Sequence, residues 1–225
     1  MGPIFITLEG PDGSGKSTQA VLLAERLRQM ALPVVLTREP GGTSVGQKLR
    51  EILLDPNMRL SVMTEVLLMA ADRAQHVQEV IKPALKNNMV VVCDRYVDSS
   101  LAYQGFGLMG EISQVKAINE AAIESVWPDL TILLDVDPAV GLRRHRQRKG
   151  AYEATGIRHS ECTDGLDRIE QRDLQFHQKV RDGYHILAKL YAERFVVIDT
   201  TELGIEAVAQ RVWESVAQRL EIAHR

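Results

Sequence analysis

The sequence predicts an α/β protein: a five-stranded parallel sheet with helices on both faces. Three observations lead there. Short apolar runs alternate with helix-periodic stretches of about 10–20 residues along the whole chain. The run Met89-Val90-Val91-Val92-Cys93 is apolar at every position, as a strand covered on both faces should be. The first apolar run also leads directly into Gly10-Pro11-Asp12-Gly13-Ser14-Gly15-Lys16-Ser17-Thr18, a complete G-x-x-x-x-G-K-[ST] pattern with a helical period behind it.

Each element has its own signal. Ile4-Phe5-Ile6-Thr7-Leu8 is the first strand, and Ala20, Leu23, Leu27 and Met30 give the first helix its apolar face. Val34-Val35-Leu36 is the second strand, followed by a helix from about Gly46 to Leu54 and a longer periodic run from about Thr64 to Leu85. After the third strand at 89–93 come a fourth, Thr131-Ile132-Leu133-Leu134, and a fifth, Phe195-Val196-Val197-Ile198. Helical segments near 111–126, 138–148, 167–192 and 204–221 fill the intervals. In such sheets ligands gather at the C-terminal ends of the strands, where all the polar motifs here fall.

Composition sets bounds. A chain of 225 residues suits one domain spanning 1–225, long enough to bury a substantial core. A formal net charge of −3 argues against a dedicated nucleic-acid binder. The two cysteines, Cys93 and Cys162, lie far apart and form neither a disulfide framework nor a C-x-x-C metal pair, which suits a reducing cytoplasm. No signal peptide fits the first residues, no apolar run approaches membrane-spanning length, and Ile6 stands where a myristoylation signal needs Ser or Thr. No membrane partner is expected.

The glycine-rich loop carries the chemistry. Its glycines let successive backbone N–H groups turn inward, and the following helix adds its positive dipole end, the phosphate cradle of the P-loop NTPase fold. Lys16 then reaches the β- and γ-phosphates of a nucleoside triphosphate while the Ser17 hydroxyl serves Mg²⁺. Asp94-Arg95-Tyr96 begins where the third strand ends: Asp94 suits the metal side, directly or through water, and Arg95 can aim a fork at a phosphate. Arg38-Glu39-Pro40-Gly41-Gly42-Thr43 puts two charges in a fixed turn after the second strand, and Asp72-Arg73 lies inside the long helix. A dense basic run, Arg143, Arg144, Arg146, Arg148 and Lys149, follows the helix start at Pro138. His145, His159 and Cys162 lack the paired spacing of a zinc site. On these residues alone, a nucleoside or nucleotide kinase and a P-loop regulatory ATPase whose basic run grips a polymer both stay open.

These pieces, in this order, resemble the thymidylate kinase family. The matches are the loop at 10–18, Arg38-Glu39-Pro40-Gly41-Gly42-Thr43, Asp72-Arg73, Asp94-Arg95-Tyr96 through Ala102-Tyr103-Gln104, and Leu166-Asp167-Arg168-Ile169-Glu170. The resemblance covers nearly the whole chain. It implies transfer of the γ-phosphoryl group from Mg·ATP to dTMP, giving dTDP for dTTP synthesis, usually in a homodimer. It implies that Asp12 sits between the metal and the acceptor, and that Arg95 grips the acceptor phosphate. By the same resemblance Arg73 hydrogen-bonds a thymine carbonyl, Ser100 and Gln104 line the base pocket, Tyr103 crowds the 2′ side of the sugar, and Glu39 and Asp94 are polar partners near metal and phosphates.

Two features depart from the family pattern. A phenylalanine often stands four residues before the base-reading arginine; here that position is Met69, whose polarizable sulfur can pack on a ring less rigidly. The lid region, 143–165, is also long, with Gly150, Gly156 and Gly165 among polar neighbours, a pattern expected of a mobile loop. Because Gly13 rather than arginine follows Asp12, the chain resembles members whose catalytic arginine comes from the lid, with Arg148 favoured and Arg144 on the same helical face.

Overall fold

A computed structural model describes residues 2–108, 110–144, 147 and 167–222. Five strands, β1 (Ile4–Glu9), β2 (Val34–Arg38), β3 (Val90–Asp94), β4 (Leu130–Asp135) and β5 (Phe195–Asp199), form one sheet in the order β2-β3-β1-β4-β5. Every pairing is parallel. The first strand is therefore central, and the register opposes Leu8 to Asp94, so the phosphate loop and the Asp94-Arg95 motif leave the sheet side by side.

The helices are α1 (Lys16–Gln29), α2 (Ser44–Leu54), α3 (Val62–His76), α4 (Lys82–Lys86), α5 (Val97–Ser100), α6 (Ile112–Ile123), α7 (residues 138–144), α8 (Leu174–Leu190) and α9 (Ile205–Ile222). Val77–Ile81 widens to π-helical turns and joins α3 to α4, so the single run expected over 64–85 is one rod with a bulge. A second π-helical stretch, Leu101–Gly107, continues α5. The helix expected to reach 126 stops at Ile123, because Glu124 and Ser125 both take left-handed backbone (φ 46° and 65°). The helix expected from 167 starts instead at Leu174, where the Asp173 carboxylate accepts the Phe176 N–H at 2.8 Å.

Strand residues alternate between two apolar layers. Ile4, Ile6 and Leu8 pack with Ala20, Leu23 and Leu27 of α1 and with Val208, Val212 and Val216 of α9. Phe5, Val91 and Cys93 face the other way, onto Val77, Ile81 and Ile123. Leu133 and Phe195 meet Phe176, Val180 and Tyr184 of α8. Covering both faces explains why the strands read as continuous apolar runs. Beneath the edge, Arg194 clamps the fully buried Asp98 through two hydrogen bonds of 2.7 and 2.8 Å, tying α5 to the start of β5.

Candidate active site

The phosphate loop closes onto α1 without a side-chain cap: Gly15 occupies the cap position in left-handed conformation. The starts of α2, α3 and α8, by contrast, are capped by Thr43, Ser61 and Asp173. The first N–H groups of α1 thus remain for an anion. Lys16 lies buried against the loop, its Nζ donating to the Pro11 carbonyl at 2.8 Å and the Ser14 Oγ at 3.4 Å. Burial, reinforced by the nearby Arg95 charge, lowers its pKa to about 8. The Ser17 hydroxyl donates to Asp94 Oδ2 at 2.5 Å, and Asp94 Oδ1 is buried with no hydrogen-bond partner. A cavity of about 550 Å³ opens beside this pair, lined also by Thr37, Arg38, Gly41 and Gly42.

Gly13 shows why no arginine stands in this loop. Its φ is +78°, and a Cβ there would lie 2.0 Å from the Gly141 carbonyl oxygen; a Cβ on Gly141 would in turn meet the Asp12 carbonyl at 2.4 Å. Backbone of α7 and backbone of the loop touch directly, glycine against glycine.

The third strand delivers the acceptor-side cluster. Arg95 takes φ +69°, its N–H held by the Leu8 carbonyl at 3.0 Å. This left-handed turn brings the guanidinium back over the loop, where Nη1 donates to the Gly10 carbonyl at 3.2 Å and Ser99 Oγ at 3.3 Å. Nη2 donates to Tyr103 Oη at 3.1 Å and pairs with Asp12 Oδ1, while the Tyr103 hydroxyl donates to Asp12 Oδ2 at 3.1 Å. Asp12, Arg95 and Tyr103 therefore form a closed hydrogen-bonded triangle.

Under the triangle sits Glu9, which sequence reasoning missed. Its carboxylate accepts the Tyr96 N–H at 2.7 Å, the Ser99 hydroxyl at 2.6 Å and the Tyr184 hydroxyl at 3.0 Å. Burial, with the Asp98 charge adding to it, raises its pKa from 4.5 to about 7. A charged residue ending an otherwise apolar strand was the available signal.

Arg73 is fully buried and all its donors are engaged within the protein. Nε and Nη2 grip Glu39 at 2.8 and 2.7 Å, Nη1 meets Ser100 Oγ at 2.9 Å and Asn119 Oδ1, and Nη2 reaches the Tyr96 carbonyl at 2.9 Å. Arg73, expected to hydrogen-bond a thymine carbonyl, can meet one only by exchanging one of these bonds. Glu39, expected near metal and phosphates, gives its carboxylate to Arg73 and to His76 Nδ1, the latter at 2.9 Å. His76, also overlooked, is fixed on its other nitrogen by Thr37 Oγ1 at 2.7 Å. Its spacing from Asp72 and Arg73 on one helix was the clue. Met69 and Gln104 are buried in the same region, and Gln104 Nε2 donates to Glu65 Oε1 at 2.9 Å.

The basic run divides. Arg144, expected beside the transferring phosphate, donates from Nη2 to the carbonyls of Thr200 and Thr201, each at 2.9 Å, and so pins α7 to the loop after β5. Arg146, Arg148, Lys149, His145, His159, Cys162 and the lid segment through 165 lie outside the described residues.

An anion cradle at a strand's end, a buried lysine, and a hydroxyl–carboxylate pair define a P-loop phosphoryl-transfer enzyme. The family model for thymidylate kinase matches residues 8–212. The chain is 44% identical over 222 residues to a thymidylate kinase of an Exiguobacterium species, covering 98% of this chain and 97% of the relative. It is 47% identical over 216 residues to the thymidylate kinase of Halothermothrix orenii, covering 96% and 97%. The crystal structure of thymidylate kinase from Ehrlichia chaffeensis superposes with a TM-score of 0.75 at 34% identity, covering 96% of this chain and 99% of that one. The chain belongs to the thymidylate kinase family. It is accordingly an enzyme, a nucleoside monophosphate kinase.

Glu9 makes stability depend on pH with a definite sign. A carboxyl raised from 4.5 to about 7 stabilises the fold below the lower value and loses that contribution as pH climbs through the upper one. Asp72, raised by burial to about 6, acts in the same direction. Glu9→Gln keeps an acceptor for Tyr96 and partners for both hydroxyls, so it should fold and show a shallower loss of Tm across this window. Melting curves on either side of the window check it; an undiminished slope in Glu9→Gln would rule out Glu9 as the source.

Proposed function

We propose that this site transfers the γ-phosphoryl group of ATP to the 5′-phosphate of dTMP. The bond from γ-phosphorus to the β-bridging oxygen breaks, a bond to a dTMP phosphate oxygen forms, and ADP and dTDP leave. The observation that carries this reading is the Asp12–Arg95–Tyr103 triangle beside an uncapped phosphate loop. It sets an acceptor-phosphate cation next to the donor cradle, where two mutually repelling phosphates must be held together. Lys16 exchanges its neutral partners for donor phosphate oxygens, and Arg95 orients the acceptor. Tyr103, wedged against both, supports a role beside the sugar, and Met69, Ser100 and Gln104 support a base pocket below it.

Ser17 and Asp94 would hold the Mg²⁺ that accompanies ATP, since a hydroxyl beside a carboxylate with an unpaired buried oxygen is the oxygen donor set this ion takes. When bound, it neutralises charge on the β- and γ-oxygens. No described helix is long and apolar enough to cross a membrane. The buried free thiol of Cys93 supports a reducing, cytoplasmic setting.

ADP release with an acceptor panel tests the reaction. dTMP should exceed dUMP, dCMP, dGMP and thymidine, and Lys16→Ala should abolish transfer in a folded protein. ADP release without acceptor, or preference for thymidine, would overturn it.

A lid arginine completes the site. Gly13 supplies no charge for the transferring group, and Arg144 is engaged with Thr200 and Thr201. Arg148→Ala should therefore lower kcat about 10³-fold with little change in Kd for either nucleotide. Arg144→Ala should instead weaken ATP binding by loosening α7. Near-normal kcat in Arg148→Ala removes that arginine from catalysis.

A homodimer is supported by apolar side chains left exposed on two adjoining helices: Val45 and Ile52 on α2, and Val62, Met63 and Leu67 on α3, with Leu67 52% exposed. Light scattering should give twice the monomer mass, and Leu67→Glu should shift it to one. A monomeric wild type refutes this assembly.

A further inference from the structure

Glu65 lies one helical turn before Met69 and two before Arg73, on the same face of α3. It is 1% exposed and centres a buried polar cluster that includes Gln104. Oε1 accepts Gln104 Nε2 at 2.9 Å, while Oε2 accepts Arg172 Nη2 at 2.8 Å and pairs with Arg168 Nη2 at 2.7 Å. Three atoms of this cluster are buried without a hydrogen-bond partner: Gln104 Oε1, an acceptor, and two donors, Arg172 Nη1 and Arg168 Nη2, the latter held by its ion pair with Glu65.

We propose that Glu65 is a positioning residue that fixes the orientation of the Gln104 carboxamide and so selects acceptor bases carrying a ring imide N–H. A carboxylate paired with two guanidiniums can only accept, so it draws the amide nitrogen of Gln104 toward itself and turns the amide oxygen away. A free amide in the same place could present either end. Held this way, Gln104 offers the base a lone acceptor, and a buried acceptor demands a donor. Thymine and uracil supply N–H at ring position 3, between two carbonyls. Cytosine presents a lone pair there, which the amide oxygen repels. Arg172 Nη1 adds a donor in the same cluster, of the kind that suits a flanking ring carbonyl. Because the partner atoms are set before the base arrives, the wrong base leaves buried groups unpaired, the strongest form of discrimination a polar pocket has.

The inference rests on the dTMP reading above, and its test separates the two. Glu65→Gln gives Gln104 an amide partner that can donate or accept, freeing it to turn. The ratio of kcat/KM for dTMP to that for dCMP should fall roughly 10-fold or more, mostly through KM. Arg168→Met is the control: it removes an ion pair from Glu65 while leaving the Glu65–Gln104 bond, so its ratio should match wild type even if its Tm falls. If Glu65→Gln does not fold, the charge-balanced Glu65→Gln/Arg168→Met variant replaces it. An unchanged ratio in a folded Glu65→Gln protein, an equal loss of ratio in Arg168→Met, or failure of both position-65 variants to fold would each overturn the role. A wild type that ignores dTMP would instead overturn the proposed reaction.

Discussion

The buried carboxylate of Glu9 is the constraint on which the rest of the site hangs. It ends the central strand, and its two oxygens reach the backbone after β3, the Ser99 hydroxyl and the Tyr184 hydroxyl of α8. Two segments far apart in sequence, α5 with its preceding residue Tyr96 and α8, are thereby fixed to the residue preceding the phosphate loop. Arg95 inherits its position from this: its left-handed turn is held between the Leu8 carbonyl on one side and the Glu9-bound Tyr96 N–H on the other. A strained φ at a non-glycine residue persists only where neighbours over-determine it, and here they do.

The second constraint is steric. Gly13 and Gly141 let the phosphate loop and α7 touch backbone to backbone, leaving no room for a side chain at either position. The chain thus cannot carry a cation in the loop at residue 13, and the same contact brings α7, which bears Arg143 and Arg144, against the phosphate loop. What the loop gives up in charge it gains in proximity to α7. Arg144 then locks that helix to the loop after β5.

What could be read from the sequence follows contiguity. The strands and the loop at 10–18 announce themselves within a few neighbouring residues, because apolar runs and glycine patterns are local, whereas α8 starts behind Asp173 and not at the expected 167. The residues of the Arg95 cluster fall on motif positions, but their pairing with one another is set only where β1 and β3 end side by side. The network around Glu39, Arg73 and His76 was not legible, since nothing local says that Arg73 is surrounded by acceptors from three other segments. Glu65 and Arg172 lie 107 positions apart, and Glu9 and Tyr184 lie 175 apart; only the packed fold joins them. Periodicity did hold a partial clue, for Glu65, Met69 and Arg73 share a helix face.

The electrostatics explain how a chain with net charge −3 receives polyanions. The site contains carboxylates at Glu9, Asp12 and Asp94 within reach of the phosphates' expected path, and each is paired sideways. Glu9 is held by a backbone N–H and two hydroxyls, Asp12 by Arg95 and Tyr103, and Asp94 by Ser17. Lys16, by contrast, is bonded only to neutral oxygens, and burial with Arg95 nearby already disfavours its charge. Phosphate oxygens arriving at Lys16 replace weak neutral acceptors with full negative charge in a poorly solvated place, where Coulomb attraction is least screened. Binding is therefore favoured by local arrangement and not by net charge: each of these three acids already has a partner, and buried Lys16 together with the open start of α1 meets the donor.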